Sequence, residues 1–155
     1  MSKLYFEDFE IGHVAEYGDR LVTAEEIKEF AAAFDPQPMH LDEEAARHTI
    51  VGGLCASGWH TCAMMMRLIV DGFMSDSSSL GSPGVEEIRW RSPVRPGDRL
   101  RVRVTVLDKR DPRTRPELGF VRLRFDVLAA PDRLAADAVI NVMFARRIPR
   151  AAASA

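Results

Sequence analysis

Residues 56–73 are the sequence feature that most constrains the fold, because this stretch is apolar on almost every side of a helix. It contains a tryptophan, three consecutive methionines and a run of aliphatic residues. A helix without a polar face has to be enclosed, either in the centre of a domain or between two subunits. His60, Arg67 and Asp71 interrupt the stretch, so it fails as a membrane span. We predict a central helix that follows a loop at 52–54 and ends near residue 73.

The hydrophobic period changes from helical to alternating after a serine- and glycine-rich loop at residues 74–84. Alternating apolar and polar residues are typical of strands that have one buried face. Four predicted strands follow this loop, at residues 85–90, 100–106, 121–127 and 138–144. Residues 13–22 supply a further candidate strand near the N-terminus.

A first helix is predicted from Ala24 to Phe34, well before the central one. Thr23 and Glu26 have the spacing of a capping box at its start, and two prolines after Asp35 prevent its continuation. A short helical turn is predicted at residues 42–47. Helices followed by consecutive antiparallel strands predict an α+β fold, in which the sheet wraps around the buried central helix.

The length of 155 residues predicts one domain, which we expect to cover residues 1–150, with a disordered small-residue tail at 151–155. A net charge of −2 predicts no general affinity for nucleic acid or for an anionic membrane. Four scattered histidines have no metal-ligand spacing, so no metal site is predicted.

The cytoplasm is the expected location, because the N-terminal residues lack the apolar run of a secretory signal. Cys55 and Cys62 are the two cysteines, and seven residues of helix would separate their Cα atoms by roughly 10 Å. This distance is beyond disulfide reach, and reduced thiols fit a cytoplasmic protein.

Asp35 and His40 are the residues that most directly suggest chemistry. They flank Pro36 and Pro38, whose fixed φ angles keep the segment stiff. A carboxylate can orient or deprotonate a water, and a histidine can pass a proton near neutral pH. From these residues alone, a helix-terminal aspartate and a hydrogen-bonded loop histidine remain the simpler interpretation.

Three separate motifs resemble the MaoC-like dehydratases and R-specific enoyl-CoA hydratases. The first is Asp-x-x-Pro-x-His followed by Leu-Asp, at residues 35–42; the others are residues 53–61 and the proline-rich segment 88–98. Their order along most of the chain makes the resemblance specific. Gln37 stands where many relatives have asparagine, and Gly52 stands where many have histidine.

The resemblance implies a single hot-dog domain, homodimers or assemblies of dimers, and reversible addition of water to a 2-enoyl thioester. Asp35 and His40 would act together on one water. A backbone N–H in the central helix would hold the thioester carbonyl, and ungapped extension from Gly53 assigns this position to Thr61 and Cys62. The implied substrate is an acyl-CoA thioester, with coenzyme A as part of the substrate and no metal or redox cofactor.

Further residues around the central helix are candidate substrate contacts. Ser57 is predicted to cap the helix, with substrate contact as the alternative. Trp59 and residues 64–66 are predicted to fill the core. His60 is predicted either to line the pocket or to be a buried, hydrogen-bonded histidine.

The arginines between positions 89 and 124 are mainly expected on the solvated face of the sheet. Arg91 and Arg95, on either side of Pro93, are the candidates for contacts to coenzyme A phosphates, since a guanidinium matches phosphate geometry.

Four functions remain open at the level of sequence. The leading one is an R-specific enoyl-CoA hydratase or 3-hydroxyacyl-CoA dehydratase. A related enzyme would hydrate a short branched or dicarboxylic enoyl-CoA, which additional cationic residues in the pocket would favour. A thioesterase and a non-catalytic acyl-CoA-binding domain are compatible with the same fold, although the Asp35–His40 motif argues against both.

Overall fold

The structure, a computed structural model, describes residues 3–151. The predicted tail therefore lies outside the described residues, apart from an exposed Ala151. Four helices precede most of the sheet: α1 (Ala24–Phe34), α2 (Pro38–Leu41), α3 (Glu43–Arg47) and α4 (Gly58–Gly72). The strands are β1 (Val14–Leu21), β2 (Ser79–Gly81), β3 (Val85–Trp90), β4 (Arg99–Arg110), β5 (Leu118–Ala129) and β6 (Arg133–Ala145). Short 3-10 turns occur at Phe6–Asp8 and Met74–Asp76.

The strands form one antiparallel sheet in the order β1-β4-β5-β6-β2, and β3 pairs with another part of β6. Helix α4 packs across β1 and β4. Inward-facing residues of the long strands alternate with outward ones, and they form a single core with the buried side of α4. This confirms the predicted α+β fold with a long helix wrapped by an antiparallel sheet.

The sequence signals that bound α1 act as predicted. The Thr23 hydroxyl accepts a hydrogen bond from the Glu26 N–H at 3.2 Å, and the Glu26 carboxylate accepts one from the Thr23 N–H at 3.3 Å. The helix ends at Phe34, and Asp35 becomes its C-cap directly before Pro36. The same proline that stops the helix therefore places the Asp35 carboxylate at a helix end, where it can face a neighbouring element.

Helix α4 departs from prediction on its outer side. Trp59 is 61% exposed and Met66 is 43% exposed, so the prediction that both fill the core is wrong for a single chain. Met64 and Met65 are buried as predicted. The exposed side of α4 lies next to Trp90, at the end of β3, whose ring meets that of Trp59 edge to face at 5.4 Å.

Two short elements were not predicted from the sequence. Helix α2 occupies a single turn that begins at a proline, and β2 has three residues within the serine- and glycine-rich loop. Such short segments carry neither a helical nor an alternating period. Among residues 3–151, no helix is both long enough and apolar enough to cross a membrane.

Candidate active site

A cavity of about 470 Å³ opens between three segments that are distant in sequence. The loop after α1 contributes Asp35 and His40, the start of α4 contributes Gly58 and Thr61, and the segment after β3 contributes Arg91. Its size is typical of a site for a small molecule. The fold thus brings together the three motifs that the sequence shows separately.

Asp35 and His40 face each other in this cavity. The Asp35 Oδ2 atom lies 3.4 Å from Nε2 of His40, whose side chain is 8% exposed. The other ring nitrogen, Nδ1, lies 2.7 Å from the carbonyl oxygen of Cys55. Since a carbonyl can accept but not donate, Nδ1 must carry the hydrogen. Nε2 is therefore the nitrogen that is able to gain or lose a proton beside the Asp35 carboxylate.

The Asp35 carboxylate is fixed through both of its oxygens. The Ser57 hydroxyl donates to Oδ2 at 2.6 Å, and the Gln37 side-chain amide donates to Oδ1 at 2.6 Å. These two hydrogen bonds, with Ser57 first, lower the pKa of Asp35 below its ordinary value, and the nearby His40 lowers it further, against the opposing effect of burial. Asp35 is thus an ionised carboxylate at neutral pH.

Ser57 has two roles at once, because its oxygen also accepts the Trp59 N–H at 3.3 Å and so caps α4. The predicted cap is present. The second role, support of Asp35, was missed because the two residues are 22 positions apart. Gln37 was noted as a departure from relatives and not as a site residue, although its short distance from Asp35 makes a local contact possible.

The geometry does not support Thr61 or Cys62 as the backbone donor to a thioester. The Thr61 N–H already donates to the Ser57 carbonyl at 3.0 Å, and Cys62 follows it within the same helix. Free N–H groups belong to the first turn of a helix, where no carbonyl lies four residues earlier in the helix. Gly58 and Trp59 are the residues of that turn that line the cavity, and the Trp59 N–H already donates to the Ser57 hydroxyl.

Trp90 explains why a glycine occupies position 58. Its indole N–H donates to the Gly58 carbonyl at 2.9 Å, and a Cβ atom at this position would lie 2.5 Å from the indole ring. The glycine therefore lets the tryptophan ring pack directly against the start of α4. A Gly-Trp sequence alone does not reveal this contact, because the partner ring comes from a distant strand.

His60 fits neither of its two predicted roles completely. It is 6% exposed, stacks on the Phe30 ring at 4.7 Å, and has no hydrogen-bond partner for Nδ1 among residues 3–151. It is not among the residues that line the cavity. Burial lowers the pKa of His60, so the ring is neutral at pH 7.

The two candidate phosphate-binding arginines have different environments. Arg91 lines the cavity. Arg95 does not, and its guanidinium donates to the carbonyls of Val51, Gly53 and Leu54. Arg95 thus holds the loop before α4 in place, and the structure places Gly53 against this arginine, outside the cavity lining.

The cysteines do not form a reactive pair. Cys55 and Cys62 are free thiols, and burial raises the pKa of both. Within the described part of the chain, no three histidine, cysteine, aspartate or glutamate side chains are grouped as metal ligands.

Comparison with known proteins gives the family. Residues 8–123 match the model of the MaoC like domain. The chain is 38% identical over 116 residues to the uncharacterized protein YdeM of Bacillus subtilis, covering 74% of this chain and 80% of that protein. It is 30% identical over 121 residues to a 3-hydroxybutyryl-CoA dehydratase of Methylorubrum extorquens, covering 75% of this chain and 72% of that protein.

Solved structures agree with this assignment. A MaoC-like dehydratase from Rhodospirillum rubrum superposes with a TM-score of 0.87 at 40% identity, covering 94% of this chain and 99% of that one. The R-hydratase PhaJ1 from Pseudomonas aeruginosa, at 23% identity, shares the fold with a TM-score of 0.74 over 99% of this chain and 94% of its own. The chain belongs to the MaoC-like dehydratase family, and its fold is the hot-dog fold.

Proposed function

We propose that this protein adds water reversibly to a 2-enoyl thioester, as an R-specific enoyl-CoA hydratase or 3-hydroxyacyl-CoA dehydratase. The observation that carries the proposal is the position of Asp35 Oδ2, 3.4 Å from His40 Nε2, in a cavity large enough for an acyl group. The dehydratase from Methylorubrum extorquens, which acts on a CoA thioester by its name, supports the same substrate class.

In the proposed reaction, the Asp35 carboxylate and Nε2 of His40 hold one water. Because Ser57 and Gln37 keep Asp35 ionised, it orients the water as an acceptor. The water oxygen bonds to the β-carbon of the acyl group, and the water proton passes to the Asp35–His40 pair. Nε2 of His40 then delivers a proton to the α-carbon. The reverse sequence removes water from a 3-hydroxyacyl thioester.

The negative charge that develops on the thioester oxygen needs a fixed donor. We assign this role to the backbone N–H of Gly58, at the positive end of α4 and within the cavity lining. A preorganised donor of this kind typically stabilises a developing oxyanion by about 3–4 kcal/mol. Coenzyme A is then part of the substrate, and the protein's own groups perform the acid–base steps.

A second copy of the chain is the proposed partner. Trp59 and Met66 on α4, and Val85 and Trp90 on β3, are exposed apolar side chains on neighbouring elements. Strand β3 pairs with β6 along one edge, and no other strand within residues 3–151 pairs with it. Homodimerisation through this edge would cover both the exposed apolar side chains and the free edge of β3. The measured mass in solution is expected to be that of a dimer or a multiple of it.

The test of the reaction is the loss of enoyl-thioester absorbance with crotonyl-CoA and longer straight-chain 2-enoyl-CoAs. We expect Asp35→Asn and His40→Gln each to reduce kcat by about 10²–10⁴-fold, as is typical when a general acid–base group is removed. Chiral chromatography of the product is expected to give the R-3-hydroxyacyl thioester.

Two exposed residues of the same types provide matched controls. His48→Gln and Asp71→Asn change side chains that are 78% and 57% exposed, and both variants should retain wild-type turnover. Release of free thiol in place of hydration would identify a thioesterase. Binding of the thioesters without turnover would identify a non-catalytic acyl-CoA-binding domain.

A further inference from the structure

The loop before α4, residues 51–57, belongs to no helix or strand, yet both residues of the Asp35–His40 pair depend on it. The Cys55 carbonyl accepts a hydrogen bond from His40 Nδ1 at 2.7 Å, and the Ser57 hydroxyl donates to Asp35. Loops move more than the elements that they join, unless other groups hold them in place. The position of the catalytic side chains therefore depends on what holds this loop.

Arg95 holds the loop through three of its carbonyls. Nη1 of the arginine donates to the Gly53 carbonyl at 2.8 Å and to the Leu54 carbonyl at 3.4 Å, and Nη2 donates to the Val51 carbonyl. Gly53 allows this close approach, because a Cβ atom at its position would lie only 3.1 Å from Nη1. A planar guanidinium can hold several acceptors at once in a fixed geometry.

The turn between β3 and β4, which carries Arg95, is bound to the loop at a second place. The backbone N–H of Arg95 donates to Asp98 Oδ2 at 2.8 Å, so the arginine is itself fixed in the turn. The carbonyl of Val94, which is buried, accepts from the Ala56 N–H at 2.8 Å. Cys55 lies between the carbonyls held by the arginine and the N–H held by Val94.

The peptide group that precedes the Cys55 carbonyl is fixed at both ends. Its oxygen, on Leu54, accepts from Arg95, and its N–H, on Cys55, donates to the Met39 carbonyl at 3.1 Å. The next peptide group carries the carbonyl that accepts from His40. Because the two peptide groups share the Cα atom of Cys55, a rotation of the first would displace this carbonyl from Nδ1.

We propose that Arg95 is a positioning residue, which holds the Cys55 carbonyl against His40 Nδ1 and thereby keeps Nε2 free of hydrogen and facing Asp35. The proposal rests on the proposed hydratase function of Asp35 and His40. It replaces the sequence-based assignment of Arg95 to coenzyme A phosphates, because both Nη groups are used on loop carbonyls. Without the arginine, the ring is free to place its hydrogen on Nε2, which then cannot accept a proton from water.

The first measurement is the tautomer of His40, which requires no substrate. Long-range proton–nitrogen NMR on protein with labelled histidine distinguishes a ring nitrogen that carries hydrogen from one that does not, and loss of signals in His40→Gln identifies those of His40. At alkaline pH, where a histidine ring is neutral, the wild type should show one tautomer, with the hydrogen on Nδ1. Arg95→Met, which removes the donors and keeps an unbranched apolar side chain, should show a mixture of both tautomers.

The second measurement separates turnover from binding. With crotonyl-CoA, Arg95→Met should lower kcat about tenfold and change KM less than about threefold, because His40 remains present but is misplaced. Arg95→Lys keeps the charge without the planar fork, so it should recover only part of the lost kcat. Free guanidinium added to Arg95→Met should increase kcat and the fraction of the Nδ1–H tautomer together, whereas it should change neither in the wild type.

The variants are expected to fold, because water can reach the loop carbonyls that lose the arginine: Gly52 is exposed, and Gly53 is half-buried. The denaturation midpoint checks this expectation. Arg101→Met is the matched control, since Arg101 also donates to a backbone carbonyl, that of Pro131, and does not line the cavity. It should retain the wild-type kcat and the wild-type His40 signals.

Each outcome supports or overturns the proposal. A lower kcat with a mixture of tautomers, both reversed by guanidinium, supports it. An unchanged His40 tautomer in folded Arg95→Met, or a mixture of tautomers with unchanged kcat, would overturn it. A higher KM for crotonyl-CoA but not for crotonyl-pantetheine would show that Arg95 binds phosphate and would also overturn it. Absence of hydration by the wild type would overturn the hydratase function, and the His40 signals would then still support or overturn the role of Arg95.

Discussion

The outer face of the sheet and the cavity use the same types of charged residue in opposite ways. On the outer face, four arginines of β4 and β5 are matched with carboxylates: Arg99 with Asp19, Arg101 with Glu16 and Asp132, Arg103 with Glu16, and Arg122 with Glu86. In the cavity, Asp35 is the carboxylate near His40 Nε2, at 3.4 Å. The Nη groups of Arg91 make no hydrogen bond within residues 3–151. Arginine donors on the outer face are engaged by carboxylates, whereas His40 Nε2 and the Nη groups of Arg91 in the cavity keep the capacity to bind.

The two regions also differ in what holds their side chains. Apart from the half-buried Arg101, the outer pairs lie between exposed side chains, where solvent screening reduces each interaction. Cavity residues are fixed by groups that are themselves buried: Ser57 holds Asp35, and Asp137 holds Arg91. The supports of the cavity therefore matter for chemistry, while the pairs of the outer face matter mainly for solvation.

Among substitutions outside the Asp35–His40 pair, removal of the Ser57 hydroxyl should have the largest effect. Ser57→Ala deletes a 2.6 Å hydrogen bond to Asp35 Oδ2, which is the main cause of the lowered pKa of that carboxyl. We expect kcat/KM to fall about 10–100-fold, because a misplaced catalytic group is costly even when it is retained. The pKa of Asp35 should rise, so activity that depends on the ionised carboxylate is lost at a higher pH as the solution is acidified.

The pH dependence of kcat/KM, together with carboxyl titration by NMR, measures this effect. Ser82→Ala is the matched control, since Ser82 is an exposed serine that donates to backbone carbonyls far from the cavity. An unchanged pH profile in Ser57→Ala would mean that this hydroxyl serves the helix cap alone. Ser57→Thr, which retains a hydroxyl, should recover part of the lost activity if the hydrogen bond to Asp35 is the cause.

A methyl group at position 58 should have the next largest effect. In Gly58→Ala, the new Cβ would lie 2.5 Å from the Trp90 ring, so either the ring or the first turn of α4 must move. Overpacking of this kind typically costs about 1–3 kcal/mol in the free energy of unfolding. Chemical denaturation measures the loss. Gly84→Ala is the control, because a Cβ atom at this position would have no heavy atom of residues 3–151 within 4 Å beyond its chain neighbours.

The sequence predicts those parts of the fold that depend on residues close together in the chain. The period change locates four of the six strands, the candidate at residues 13–22 locates β1, and the prolines after Asp35 locate the end of α1. The stiff segment places Asp35 and His40 together for the same reason. Strand β2 was missed because three residues that include serine and glycine carry no alternation.

The supports of the cavity could not be predicted, because they join residues far apart in sequence. Ser57 and Asp35 are 22 positions apart, and Arg91 and Asp137 are 46 positions apart. Arg91 and Arg95 look equivalent beside Pro93, and only the tertiary structure directs one to the cavity and the other to the loop carbonyls. Trp59 was assigned to the core because apolar periodicity does not distinguish a domain core from a surface that a second chain covers.

Replacement of His60 should have a smaller effect, which concerns the pH dependence of the free energy of unfolding. His60 is buried like the cavity residues, but its Nδ1 lacks a hydrogen-bond partner among residues 3–151. Burial lowers its pKa; Glu26 acts in the opposite direction, and Arg20 and His40 reinforce the shift. Below the unfolded-state pKa of about 6.5, the unfolded chain takes up a proton that the folded chain does not. Stability contributed by the neutral ring is therefore complete above about pH 6.5 and decreases as the pH falls from there toward the folded-state pKa.

His60→Leu should remove this part of the pH dependence. The free energy of unfolding of the variant is expected to decrease less than that of the wild type between pH 7.5 and pH 5.5, measured by urea denaturation. His48→Gln, at an exposed histidine, should follow the wild-type dependence. Identical slopes for His60→Leu and the wild type would show that the imidazole is protonated without cost in the folded state.

The smallest effect is expected from a substitution on the outer face of the sheet. Arg122→Gln breaks the ion pair with Glu86, whose carboxylate keeps a hydrogen bond from Asn141 at 2.6 Å. Both members of the pair are exposed, so water solvates the freed carboxylate and screening by salt already weakens the interaction. The denaturation midpoint and kcat/KM should equal those of the wild type within error, at low and at moderate salt. A loss of activity comparable to that of Ser57→Ala would contradict the distinction between the two regions, because it would require a surface ion pair to act on the cavity through the sheet.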